Sequence, residues 1–143
     1  MNSSSFEIRR AAWDRDEDSL RRIREQVFVQ EQKVPLELEL DSRDQGALHL
    51  LAETMDRQPI GTARMLPDGH IGRMAVLPEW RCRGVASALL RELVHIAREQ
   101  GHSRPYLNAQ THALDFYRHR GFVAKGEEFM DAGISHRRMA LSP

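Results

Sequence analysis

The sequence predicts an α/β fold in which one mixed sheet is covered by helices on both faces. Three observations carry this. Apolar residues switch between period-two runs and 3.6-residue stripes in the order strand, helix, three strands, helix, strand, helix, two strands. Two short polar breaks, Asp56-Arg57-Gln58-Pro59 and Pro67-Asp68-Gly69, force the three middle strands into an antiparallel meander. Third, the run Ile71-Gly72-Arg73-Met74-Ala75-Val76-Leu77, stopped by Pro78, leads through Arg81-Cys82-Arg83-Gly84 into a long amphipathic helix.

In chain order, the polar start over residues 1–5 has neither the charged nor the apolar part of a signal peptide and is expected to fray. Residues 6–11 alternate weakly as a first strand. Asp14, Asp16 and Asp18 supply helix-start acids before Leu20, Ile23 and Val27, so a helix is expected over residues 16–30. Residues 31–46, with Pro35 and the alternation Glu37-Leu38-Glu39-Leu40, read as a surface loop with a helical turn, a natural substrate wall. Strands follow over residues 47–54, 60–66 and 71–77. Val85, Ala86, Leu89, Leu90, Leu93, Val94 and Ala97 then recur at helical spacing until Gly101. Residues 106–109 form a short strand, Thr111 caps a helix running through Arg120, and Gly121 closes it. Strands over residues 122–125 and 137–141, with 126–136 as an extended loop, complete a final hairpin.

A chain of 143 residues has the size of one domain. Its 21 basic and 21 acidic side chains balance, which argues against the broad basic surface of a nonspecific nucleic-acid binder. Cys82 is the only cysteine, so neither an intrachain disulfide nor a cysteine zinc cluster can form, as suits a reducing cytoplasm. No apolar run approaches the roughly 20 residues that span a bilayer. The seven histidines show no metal-binding spacing, and His95 and His119 read as surface or helix-end residues.

The strand-to-helix junction aims free backbone N–H groups at a ligand. Gly84 lets the main chain approach closely, the small Ala86 keeps the first turn open, and the helix dipole favours an anion such as a pyrophosphate. A Walker lysine is missing, since Val85 and Ala86 follow Gly84. One mid-chain glycine also falls short of the three spaced glycines of a dinucleotide fold.

The pattern Arg81-x-x-Gly84-x-Ala86, after Met74-Ala75-Val76-Leu77-Pro78 and before Leu89-Leu90, resembles the acyl-CoA signature of the GNAT superfamily of N-acyltransferases. The resemblance extends through Leu107-Asn108-Ala109-Gln110 and Phe116-Tyr117-Arg118-His119-Arg120-Gly121-Phe122. Val27-Phe28-Val29-Gln30-Glu31-Gln32 and Ala132-Gly133-Ile134-Ser135-His136 are similar to a small bacterial ElaA-like or YjcF-like branch. It implies one GNAT-like domain over residues 1–143, with a mostly antiparallel twisted sheet splayed between its fourth and fifth strands. It also implies acetyl-CoA as acyl donor, a primary amine of a small molecule or peptide as acceptor, no metal, no nucleic-acid or membrane partner, and a possible homodimer. Main-chain groups of Met74, Ala75 and Val76 would pair with the pantetheine arm as an added strand would. Amides from Arg83 through Gly84, Val85, Ala86 and Ser87 would hold the pyrophosphate, with Arg81 or Arg83 offsetting its charge, unless those two are only solvated cations.

Amide formation from a thioester needs a neutral amine, a stabilised oxyanion and a leaving thiolate that can be protonated. The resemblance places Tyr117 opposite the cofactor sulfur as general acid and the Val76 N–H as oxyanion donor; on spacing alone, Phe116, Tyr117 and Phe122 read as an aromatic packing cluster. Asn108 is expected to hold the pantetheine arm or a water, or else to satisfy local backbone groups at a strand end. For the base, Glu31 and His136 lead, with His49 and Glu53 as further candidates and ordered water as an alternative. Arg64 and Arg73 either line the acceptor pocket or pair with nearby acids. Cys82 has no histidine and acid at motif spacing, so direct attack in a ternary complex is preferred over an acyl-cysteine route. A noncatalytic acyl-CoA-binding module is the competing reading.

Overall fold

The computed structural model describes residues 5–143, so the frayed start expected over residues 1–5 lies, apart from Ser5, outside the described residues. The strands are β1 (Phe6–Ala11), β2 (Leu48–Thr54), β3 (Pro59–Met65), β4 (His70–Val76), β5 (Tyr106–Gln110), β6 (Phe122–Asp131) and β7 (Ile134–Leu141). They form one sheet in the order β1-β2-β3-β4-β5-β7-β6, antiparallel throughout except for the β4–β5 pair. The helices are α1 (Trp13–Arg24), which continues as a π-helix over Glu25–Glu31, α2 (Leu36–Glu39), α3 (Val85–Glu99) and α4 (Leu114–Arg118).

Strand alternation divides the apolar side chains between two faces. Leu50, Ala52 and Val76 belong to the core under α3, whose own stripe of Val85, Leu89, Leu90, Leu93, Ile96 and Ala97 is buried there. Leu51 and Ala75, each next in sequence to one of those residues, face Leu20, Ile23 and Val27 of α1 and its π-helical extension. Each buried leucine or isoleucine of these stripes contributes roughly 1.5–3 kcal/mol. Gly61 brings α3 close to the sheet: a Cβ there would lie 3.0 Å from Val85 Cγ1 and 3.3 Å from the Ala75 carbonyl oxygen.

Four expectations need correcting. The first helix starts at Trp13, because the Ala12 carbonyl already accepts from Arg15 and Asp16 (3.1 and 2.7 Å) and the Asp16 carboxylate takes the Ala12 N–H (2.9 Å). Its last turns widen to the π form, which ordinary apolar spacing does not mark. The helix expected over residues 111–120 is a 3₁₀ turn at Thr111–Ala113 followed by α4, and Thr111 supplies no cap. The strands of the final hairpin are together twice as long as expected, with β6 and β7 meeting at a turn through Ala132 and Gly133.

The segment read as a surface loop is fastened down. Arg24, 1% exposed, donates to Glu39 and, at 2.8 and 3.2 Å, to both carboxylate oxygens of Asp44. Arg64 on β3 grips Asp41 (2.9 and 2.8 Å) and reaches Asp44 (3.1 Å), and Arg73 on β4 reaches Asp41 (3.2 Å). Three arginines thus alternate with three carboxylates beneath residues 36–44. Trp13 covers the group, stacking on His49 at 5.2 Å with Arg24 5.4 Å from its ring centre.

Removing one member strands the others in low dielectric. Arg24→Ala should therefore cost about 3–5 kcal/mol in urea unfolding; a loss below about 1 kcal/mol would show that water already screens the group.

Candidate active site

Pairing between β4 and β5 covers only His70 with Tyr106 and Ile71 with Leu107. Beyond them the two strands part, leaving residues 72–76 and 108–110 facing an opening. A bulge accounts for the parting: Thr62 pairs with Ala75 and Arg64 with Gly72, so Arg73 and Met74 together oppose Ala63. Arg73 takes φ 46°, uncommon for a residue with a side chain, and its guanidinium is held by the Leu38 and Glu39 carbonyls (3.3 and 3.0 Å) and by Asp41. The fastened segment 36–44 thereby fixes the bend in β4.

Register then sets the direction of the Val76 backbone. The Leu77 N–H donates to the Ile60 carbonyl at 2.9 Å, so the adjacent Gly61–Val76 pair is of the non-hydrogen-bonded type. The N–H and carbonyl of Val76 consequently turn away from β3 and toward the opening. The carbonyl accepts from Arg81 Nε at 3.0 Å.

Both lips of the opening are tied to the end of the π-helix. Arg81, just past β4, makes a bidentate pair with Glu31 (2.7 and 2.6 Å), and Gln110, at the end of β5, donates to Gln32 (2.9 Å). On the other face, α3 begins at Gly84, φ 86°, with no side-chain cap. The first intrahelical bond is from Ala88 to Gly84 (3.0 Å), which leaves the amides of residues 85–87 without helical partners. A Cβ at Gly84 would meet nothing within 4 Å, so space in front of these amides is open. Such a mouth fits a ligand that combines a strand-like amide arm with a pyrophosphate.

The expected residues fall as follows. Met74, Ala75, Val76 and Asn108 line the two lips, and Gly84, Val85, Ala86 and Ser87 form the helix start. Tyr117 on α4 packs against the core that contains Val76, Leu107 and Ala109, edge-on to Phe116 (5.1 Å) and Phe122 (6.0 Å). Arg83 lies over Trp80 at 4.9 Å, and Cys82 is exposed. Of the base candidates, Glu31 stands at the mouth paired to Arg81, and His136 lies across from Gln110 on β7. Its Nδ1 is 2.7 Å from the Ile134 carbonyl, which makes Nδ1 the protonated nitrogen and leaves Nε2 as the acceptor. His49 and Glu53 are elsewhere: the first is buried beside Asp44, the second pairs with Arg9 at 2.8 Å. Arg64 and Arg73 are taken up by Asp41 and Asp44, the pairing alternative. Two features carry no sequence motif. Arg120, in the turn after α4, crosses to the α3 start, its Nε 3.1 Å from Ser87 Oγ and its guanidinium over Phe116 at 3.8 Å. The Gln32–Gln110 bridge, 78 residues apart in sequence, has no local signal.

Electrostatics separates these groups. Arg81 holds the Glu31 carboxyl below the usual glutamate range. Burial alone pushes the Tyr117 hydroxyl up to about 12. Burial lowers His49 and His70. For Asp41 and Asp44 burial opposes ionisation, but hydrogen bonds from the arginines outweigh it and both stay below the usual carboxylate range. Arg9 holds Asp16 down to about 2.

A mostly antiparallel sheet opened at its single parallel pair, with an uncapped helix starting beside the opening, is the architecture of the acyl-CoA N-acyltransferases. The family model of the acetyltransferase (GNAT) domain matches residues 14–143, and the chain belongs to the GNAT family, whose members transfer acyl groups from acyl-CoA to amines. It is 38% identical over 121 residues to the uncharacterized N-acetyltransferase YjcF of Bacillus subtilis, covering 82% of this chain and 86% of that one. Among solved structures, an acyl-CoA N-acyltransferase from Pseudomonas aeruginosa superposes with TM-score 0.84 at 28% identity, over 96% of this chain and 100% of that one. Escherichia coli ElaA does so with TM-score 0.85 at 26% identity, over 95% and 99%. Among the described residues no helix is long and apolar enough to cross a membrane.

Acid should destabilise the protein in two stages. His49 and His70 stay neutral when folded but take up protons when unfolded, so stability falls as pH drops below about 6.5. Asp16, Asp41 and Asp44, depressed in the fold, contribute fully above about pH 4 and lose that contribution below it. Urea midpoints measured from pH 8 down to pH 3 should decline accordingly; midpoints that rise on acidification would contradict these assignments.

Proposed function

We propose that residues 1–143 act as one domain that transfers an acetyl group from acetyl-CoA to a primary amine by direct attack in a ternary complex. The observation that carries this reading is the pair of unpartnered lips, with the Val76 N–H turned into the gap between them. When bound, acetyl-CoA supplies an acyl group activated as a thioester. The main chain of Met74, Ala75 and Val76 would receive its amide arm, with Asn108 opposite. Amides from Arg83 to Ser87 would hold the pyrophosphate, and Arg83 and Arg120 would balance its charge. An open groove of about 410 Å³ lined by Ser87, Leu90, Arg91, Val94 and Arg120 continues from that point and offers room for the nucleotide end. Arg81, engaged by Val76 and Glu31, would act by holding the β4 lip.

In the reaction the Val76 N–H donates to the carbonyl oxygen as it gains charge. Tyr117, kept protonated by burial, donates its phenolic proton to the departing sulfur. Proton removal from the amine is assigned to His136 Nε2, directly or through one water, because Glu31 is the weaker base while Arg81 holds it.

Thiol release with an amine panel tests this. Tyr117→Phe should lower kcat about 100-fold while CoA affinity stays within about twofold. His136→Gln should lower kcat about 100-fold, and Glu31→Gln should lower it by less than about tenfold. No thiol release with any amine, while CoA still raises the melting temperature, would favour a binding module instead.

A further inference from the structure

Three strands beyond the opening present a face that, among the described residues, no helix covers. Leu107, Ala109, Phe122, Met139 and Leu141 point into the core under α3, so the alternate residues of β5, β7 and β6 point to the α1 side. The registers align them in rows across the sheet: Tyr106, Ala140 and Val123; then Asn108, Arg138 and Lys125; then Gln110, His136 and Phe129. Gln32 covers the last row at its Gln110 end, and α1 lies over β3 and β4. The middle row is open, with Asn108, Arg138 and Lys125 all exposed.

That row begins on the β5 lip, one residue beyond the last β4–β5 pair. Lys125 and Arg138 sit directly opposite one another, an arrangement of like charges that costs stability unless something neutralises it. Among the described residues neither has an acidic partner. Asp68, beside Tyr106, is occupied by the Tyr106 hydroxyl at 2.5 Å. Arg138 is also held in place: its guanidinium lies over the Tyr106 ring at 4.3 Å, and that ring stacks on His70 at 4.6 Å. The other arginines facing this side of β3 and β4, Arg64 and Arg73, are already paired with Asp41 and Asp44.

We propose that Arg138 and Lys125 bind a carboxylate carried by the acceptor itself, so that the amine acetylated at the β4–β5 opening belongs to an amino acid. This rests on the acetyl-transfer reading above. Arg138 lies one strand and Lys125 two strands from the β5 lip, and their row is level with Gly72, about four residues short of Val76 along β4, so the carboxylate lies well away from the amine and the acceptor is a long ω-amino acid or an amino acid reacting through its side-chain amine.

The test compares ω-amino acids from β-alanine to 6-aminohexanoate with their carboxamides, first by thiol release and then by NMR titration of the CoA-loaded protein. The acids should have kcat/KM at least about tenfold above the amides, the worth of one charge-assisted contact. Arg138→Gln and Lys125→Gln should erase that preference by lowering turnover of the acids only, with cooperative thermal unfolding retained. Turnover without preference, or equal losses on acids and amides, overturns the carboxylate site and leaves acetyl transfer standing. No turnover, with acids but not amides shifting the Asn108, Lys125 and Arg138 amides, keeps the site and overturns transfer. Absence of both turnover and shifts overturns both. A dimer in sedimentation that Arg138→Glu dissolves would assign the face to a second copy and overturn the proposal.

Discussion

Everything at this site depends on β4 leaving β5 after two residue pairs. A parallel pair that continued would satisfy its backbone groups internally and offer a ligand nothing. The bulge at Arg73 and Met74 prevents that, and the bulge is not free to relax. Arg73 is anchored to the Leu38 and Glu39 carbonyls and to Asp41, and Asp41 in turn is gripped by Arg64. A buried ion network of this kind is weak evidence for net stability, because desolvation offsets most of the attraction. Its structural effect is positional: it fixes one wall of the cleft and one lip of the sheet as a single unit.

The π-helical end of the first helix acts on the same opening from the other side. Widening the last turns lets adjacent residues, Glu31 and Gln32, reach opposite lips, Glu31 through Arg81 to β4 and Gln32 through Gln110 to β5. The Arg81–Glu31 pair is about 40% exposed on each side, so its contribution to folding is small. What it supplies is spacing across a gap that has no ladder hydrogen bonds of its own. Glu31, a base candidate from its place at the mouth, is thereby also part of the frame.

Local periodicity made the meander, the long helix and the anion-binding junction legible, since each depends on residues within a few positions of one another. The outer half of the β6–β7 hairpin was not: residues 126–128 all sit opposite Arg137, which breaks the alternation, and Glu127 and Glu128 on an edge strand look like loop. The acids at 39, 41 and 44 were hidden for a different reason. Their partners Arg24, Arg64 and Arg73 lie 15 to 34 residues away, and only the folded sheet brings them together. Motifs located Tyr117 and the Gly84 turn, but could not show that Arg81 faces Glu31 rather than solvent. Nor could they show that the Arg138 row lies beside the opening, because a register is a property of paired strands.

The central claim is that the backbone of the two lips is held open for a ligand that pairs with it. Amide hydrogen exchange on the intact protein, with and without CoA, tests this most directly. Without CoA the Val76 amide and those of residues 85–87 should exchange rapidly for their depth in the fold; with CoA they should be the amides that slow most. Slow exchange at Val76 in the free protein, or CoA binding that protects only amides elsewhere, would contradict it.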